Sequence, residues 1–202
     1  MSLREFNTAL SSSSPTPGGG AAAAIALGQS ASLACMVCDL TLDNEKWEDG
    51  WGASEQMQLV AIPIFNRSLQ LADEDCVAFD EVMMAFKMPK TSDDEIEIRR
   101  EAIRTATLNA ARVPLETAGY AMDLLEHMED LARFGNGNAA SDVGVAALLA
   151  NSACLGALMN VEINLSSLPD SMGTIEKEKC REIKSKVHII SKNISDIVNS
   201  RI

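Results

Sequence analysis

Residues 11–42 read SSSSPTPGGGAAAAIALGQSASLACMVCDLTL, a polar, proline-punctuated run that passes through three glycines into a long apolar segment. Within that segment the small residues Ala24, Gly28, Ala31 and Ala34 recur at helical spacing, and small side chains on a helix face let a second backbone come close. The pattern predicts a helix from Ala21 to about Leu42 at the centre of a helical fold. Pro15 and Pro17 fix the chain's approach. Gly18, Gly19 and Gly20 then present backbone N–H groups at the helix N-terminus, where the macrodipole is positive and no Cβ blocks a ligand. Such a turn holds a carboxylate or a polarised carbonyl; the alternative is that it only lets two stretches of chain pack closely. It matches neither of the common glycine-rich phosphate loops and no strand precedes it, so nucleotide binding is disfavoured.

Composition points the same way. The 202 residues are 47% hydrophobic, enough for one sizeable core, so a single domain spanning 1–202 is expected. Aromatics make up only 4%, and no long alternation of Val, Ile, Thr and Tyr occurs, so the fold class is read as all-α. A formal net charge of −12 repels phosphate backbones and anionic lipid, which disfavours nucleic-acid and membrane-surface partners. No basic-then-apolar leader stands at the N-terminus and no stretch is read as approaching the roughly 18 apolar residues of a membrane span, so a cytoplasmic location is expected. The five cysteines, Cys35, Cys38, Cys76, Cys154 and Cys180, fall mostly in apolar helical segments, as reduced buried thiols do. His127 and His188 each stand alone on a helix, so no metal site is expected.

After the DNEKWEDGWG break, a second long helix is predicted from about Ser54 to Phe86, bent at Pro63. Its apolar stripe reads Val60, Ile64, Leu71, Phe79, Val82 and Phe86, and Ser68 and Asp75 complete the series of three- and four-residue steps. Of the five carboxylates in DEDCVAFDE, Asp75 alone shares the stripe, so Asp73, Glu74, Asp80 and Glu81 are read as solvated. An inward carboxylate is either the ion-paired member of a structural pair or a functional group whose pKa burial raises. A capping box, Ser92 with Glu95, starts the next helix, which Pro114 is expected to interrupt. The pattern resumes until RFGNGNAASD, where Ser141 or Asp142 is expected to cap a helix running from about Val143 to Leu165. Asn160 and Asn164 lie one turn apart on that helix, as satisfied core amides or as ligand-orienting groups. Lys46, beside Trp47, is either an ordinary surface lysine or a local positive charge for an anionic ligand. From about Thr174, Ile183, Val187, Ile190, Ile194 and Ile197 form a coiled-coil-like seam that needs a partner helix.

The motifs SSSSPTPGGGAAAA, CMVCDLT followed by KW, DCVAFDEVMMAFKMPK, RVPLETA, GNGNAASDVGVAALL and NVEINL occur in this order. Together, from about Leu3 to Leu168, they resemble the cyclodeaminase/cyclohydrolase family of tetrahydrofolate enzymes. The resemblance implies an all-helical up-and-down bundle that forms a homodimer, with a tetrahydrofolate site in a groove near the dimer interface. It places the family's catalytic aspartate at Asp75 and its substrate-binding residues at Pro15, Thr16, Gly18, Gly19 and Gly20, at Asn136, Asn138, Ser141 and Asp142, and at Asn160 and Asn164. Lys46 is kept as a further candidate, although the chain carries Asp39 and Trp47 where family members commonly have Asn and Tyr or Phe. Two reactions are implied: hydrolysis of 5,10-methenyltetrahydrofolate to 10-formyltetrahydrofolate, or closure of 5-formiminotetrahydrofolate to the methenyl form with loss of ammonia. Each needs one proton-carrying group beside a tetrahedral carbon, and neither needs a metal or a cofactor beyond the folate. Because no formiminotransferase domain shares the chain, the hydrolysis is the expected reaction. A silent helical dimer that binds folate or a protein partner is the reading from another class.

Overall fold

The computed structural model describes residues 2–202, and those residues form six α-helices and two short 3₁₀ turns. Helix α1 is Leu3–Leu10, α2 Gly19–Leu42, α3 Trp51–Phe86, α4 Asp93–Phe134, α5 Ala140–Ser166 and α6 Thr174–Asn199. Helix α1 has no counterpart in the expectations above, although its start is written in the sequence. Ser2 Oγ accepts from the Glu5 N–H, and the Glu5 carboxylate accepts in return from the Ser2 N–H at 2.6 Å.

Four helices build the bundle. Helix α2 packs between α3 and α5, α4 closes the back against both, and α6 lies in the groove between α4 and α5. The register is read from close approaches. A Cβ on Gly28 would meet Ser68 and one on Gly20 would meet Asp75, so α2 and α3 are antiparallel. Ser30 Oγ donates to the Ala146 carbonyl while Gly19 lies beside Asn160, which makes α2 and α5 antiparallel as well. Ala21, Ala24, Leu27, Ala31 and Ala34 are fully buried, confirming α2 as the central helix.

Several boundaries differ from expectation. Helix α3 begins at Trp51 rather than Ser54, after a 3₁₀ turn over Glu45–Gly50, and it runs through Pro63 without a break. Pro63 lies on the exposed face, where solvent can take the carbonyl that its missing N–H leaves free. Pro114 does not interrupt α4, a continuous helix of 42 residues. The carbonyl freed by Pro114 belongs to Ala110, and Asn164 Nδ2 donates to it at 2.9 Å. The amide thus stands in for the lost backbone N–H and pins α5 to α4.

Neither Ser141 nor Asp142 caps α5; both lie within its first turn, behind a 3₁₀ turn over Gly137–Ala139 that Asn136 caps by accepting from the Asn138 N–H at 2.9 Å. The apolar stripe of α3 holds through Leu71, but Phe79 and Phe86 are exposed because α2 starts only at Gly19 and leaves the far end of α3 uncovered. Glu74 is not simply solvated either, since it forms a two-pronged pair with Arg67, which also reaches Glu116.

The seam on α6 finds its partner within the chain. Val187 and Ile194 are fully buried, and Ile183, Ile190 and Ile197 pack against the same core. This seam and the small-residue face of α2, each of which needs a neighbouring helix, both find it within the one chain. What stays open is the outer face of the α3–α2–α5 layer, where Ile62, Phe65, Met36, Leu40, Leu148 and Met159 are exposed. Two segments, Gly19–Leu42 and Gly137–Ser166, are long and apolar enough by composition to cross a membrane, contrary to the sequence reading. In the fold they are neighbours at the centre of the bundle, with the buried face of each set against the other.

Candidate functional site

The residues singled out in the sequence gather at two places, the two ends of α2. Its 24 residues separate them by about 36 Å at 1.5 Å per residue.

At the N-terminal end, Gly18 is the cap residue and offers no side-chain hydrogen bond. The first N–H groups of the helix, at Gly19, Gly20 and Ala21, lack intrahelical partners and point out of the helix end. Asp75 arrives there from α3. A Cβ added to Gly20 would lie 2.1 Å from Asp75 Oδ1, so the carboxylate rests on the bare glycine backbone. Only glycine permits that approach. Burial pushes the Asp75 carboxyl above its ordinary value, and the Ala21 backbone N–H offsets part of the rise. The neighbouring acid Asp73 is exposed. Asn160 comes in from α5, its Nδ2 3.5 Å from a Cβ placed on Gly19. That Nδ2 donates to the Gly156 carbonyl at 2.9 Å, which fixes the amide with its oxygen as the remaining acceptor. Pro15 and Thr16 form the lip of the turn, and the Pro15 carbonyl lies 3.2 Å from a Cβ on Gly18. Asn164, one turn further along α5, is occupied with the Ala110 carbonyl described above.

The C-terminal end of α2 holds the rest. Asn136 is buried and fully engaged. Its N–H donates to Thr41 Oγ1 at 3.0 Å, its Nδ2 donates to the Leu40 carbonyl at 2.9 Å, and its Oδ1 caps the following turn. Asn138 and Ser141 are exposed, and Asp142 is half-buried. Lys46 is exposed, with Nζ 4.7 Å from the centre of the Trp47 ring. That ring presses on the asparagine turn, since a Cβ on Gly137 would meet it at 2.8 Å. The chain therefore unites Asp75 with Gly18–Gly20 and Asn160, and separately Lys46 with Asn136 and Asn138. It does not bring the two groups together.

Sequence reasoning missed the cavity beside the first group. A cavity of about 790 Å³ runs from Pro17 along the groove between α2 and α3. Phe6 of α1 covers one end, and Ile25, Phe65, Leu69 and Cys76 line it. The Ser2–Glu5 capping box was the available signal, because it announces the helix that supplies this cover. No three His, Cys, Asp or Glu side chains converge as a metal cluster among the described residues.

A desolvated carboxyl set against an array of backbone donors can move a proton at a carbon whose oxygen or nitrogen substituent those donors hold. The relatives carry such chemistry in their names. Residues 2–194 match the family described as formiminotransferase-cyclodeaminase, and the chain belongs to that family. It is 31% identical over 203 residues to the methenyltetrahydrofolate cyclohydrolase of Methylorubrum extorquens, covering 99% of this chain and 97% of that one. It is 33% identical over 183 residues to the formimidoyltransferase-cyclodeaminase of Rattus norvegicus, of which it spans 33% of the length. The crystal structure of formiminotetrahydrofolate cyclodeaminase from Thermotoga maritima superposes with a TM-score of 0.87 at 29% identity, over 99% of this chain and 96% of that one.

Proposed function

We propose that the protein is an enzyme of folate one-carbon metabolism that hydrolyses 5,10-methenyltetrahydrofolate to 10-formyltetrahydrofolate, with Asp75 as the general acid/base. The observation that carries the reading is the Asp75 carboxyl, raised in pKa by burial and seated on Gly20 at the N-terminus of α2, where the Ala21 N–H meets it. The end-to-end similarity to a named cyclohydrolase supports the choice of reaction. Water adds to the methenyl carbon and Asp75 takes its proton. The same proton then passes to the ring nitrogen as its bond to that carbon breaks, while the second proton of the water leaves the carbinol oxygen for solvent and the formyl C=O forms. The N–H groups of Gly19 and Gly20 stabilise charge on the carbinol oxygen. The cavity along α2 and α3 falls within the usual range of ligand pockets, roughly 300–1,000 Å³, and is the space for the folate rings.

The functional unit in this reading is a homodimer formed through the outer face of the α3–α2–α5 layer. Burying Phe65, Leu148 and Met159 there removes apolar surface that a monomer rarely leaves open. An antiparallel pairing sets the Lys46 and Asn138 end of one copy over the Asp75 end of the other, so the divided site becomes whole. The two long apolar helices then serve core and interface rather than a membrane. The acidic surface disfavours nucleic acid as a partner, and no cofactor beyond the folate is needed.

Closure of 5-formiminotetrahydrofolate is the second reading, favoured by the whole-chain likeness to the Thermotoga cyclodeaminase. Offering the purified protein each folate separately, and following absorbance of the methenyl chromophore, decides between them. Loss of the chromophore supports hydrolysis and its appearance supports ring closure. Inertness toward both, with folate bound, leaves the silent dimer.

A further inference from the structure

We propose that Arg201 is a positioning residue for the Lys46–Asn138 half of the site, holding in place a turn that it reaches from beyond the family-matched span.

The chain turns after α6 and carries Arg201 beneath the end of α4. Its Nη1 donates to the Ala132 carbonyl and its Nη2 to the Gly135 carbonyl at 2.7 Å. Those carbonyls belong to the last turn and the cap of a 42-residue helix, where partners are missing and the macrodipole is negative. A planar guanidinium is the side chain that can bridge two such oxygens at once. The same Nη2 lies 3.4 Å from a Cβ placed on Gly137, so the guanidinium also underlies the asparagine turn.

From there the contacts run outward without a gap. Gly137 is pressed by the Trp47 ring, whose indole nitrogen is buried and unpartnered, and Lys46 Nζ lies over the face of that ring. Asn136 fixes the near side of the turn through Leu40 and Thr41. The other side, Gly135 and the end of α4, is fixed by Arg201. Asn138 and Lys46, two of the exposed groups at this end, thus ride on a platform with two anchors, one visible in the family motifs and one outside them.

The inference rests on the reading that this end contacts the folate, so the test separates the two. Arg201→Ala, Arg201→Lys, Asn138→Ala and Lys46→Ala are compared with wild type by steady-state kinetics on 5,10-methenyltetrahydrofolate, with folding followed by helical signal. For Arg201→Ala the Michaelis constant is expected to rise about tenfold with turnover within about twofold, the pattern of lost binding rather than lost chemistry. Ethylguanidinium in the millimolar range should restore much of the loss, and Arg201→Lys should fall between, since one ammonium cannot bridge both carbonyls. An Arg201→Ala protein that is folded and keeps its Michaelis constant overturns the proposal. So does a rise that neither ethylguanidinium nor lysine relieves. If Asn138→Ala and Lys46→Ala raise the Michaelis constant while Arg201→Ala does not, the positioning role falls alone. If all three are silent, the substrate-binding reading of this end falls and takes the positioning role with it.

Discussion

The two ends of α2 are built on opposite principles. At the N-terminal end hydrogen-bonding capacity is left unused: the helix has no side-chain cap, and Asp75 has no cation against it to offset its burial. At the C-terminal end the asparagine turn and the end of α4 are satisfied, the buried indole nitrogen of Trp47 being the exception. Asn136 spends its amide and its N–H on Leu40, Thr41 and Asn138, and Arg201 closes α4. Groups left unsatisfied at a helix end and a desolvated carboxyl both cost stability, and sites that persist at such cost are where chemistry is done. The satisfied end is scaffold that carries only a few free groups outward. Named site residues are thus of two kinds, and Asn136 and Asn164 belong to the scaffold by their contacts.

The largest expected effect tests the unsatisfied end. Asp75→Asn keeps shape while removing the proton carrier, so turnover should fall about 10²- to 10⁴-fold with folate affinity within about tenfold. Asp80→Asn, exposed and outside the cavity, should be nearly silent, and equal damage from it would end the assignment. The same variant has a stability signature. Because burial raises the Asp75 pKa, the folded chain binds this proton more tightly than the unfolded chain does. This contribution to stability is fully present below the ordinary value of 3.8. It declines as pH rises, until the raised value is passed. Across that window the melting temperature of wild type relative to that of Asp75→Asn should decline as pH rises.

Next in size, Gly20→Ala forces a methyl into the Asp75 carboxylate, for which the structure leaves 2.1 Å. The carboxylate has to move, so activity should drop at least about tenfold with a stability loss of about 1–3 kcal/mol. Unchanged turnover in this variant would show that Asp75 acts from another position.

At the satisfied end the expectation reverses. Asn136→Ala leaves buried groups at Leu40 and Thr41 without partners and should cost about 1–3 kcal/mol in denaturant unfolding. Its effect on turnover should be small beside that of Asp75→Asn, and a comparable loss of rate would erase the contrast between the two ends.

The smallest effect is the most specific. Asn164→Ala should cost about 1 kcal/mol by orphaning the Ala110 carbonyl. In the Pro114→Ala background the helix supplies its own N–H to that carbonyl, so the penalty for Asn164→Ala should nearly vanish. Additive penalties in this double-mutant cycle would show that Asn164 does something other than satisfy Ala110.

The sequence by itself determined the helical class, the centrality of α2, the separation of Asp75 from its acidic neighbours and the closing helix from Thr174. These are local matters of period and residue size, and a 3.6-residue repeat or a run of alanines and glycines records them directly. Only the tertiary structure decided the rest. Pro114 was read as a break because the donor that rescues its helix is 50 positions away at Asn164. The α6 seam announces a partner helix without naming it, because nothing in its own residues says that α4 and α5 will cover it. The division of the site between the ends of α2 was invisible for the same reason. Motif order along a chain carries no distance, whereas an antiparallel bundle fixes which residues meet and which lie a helix length apart.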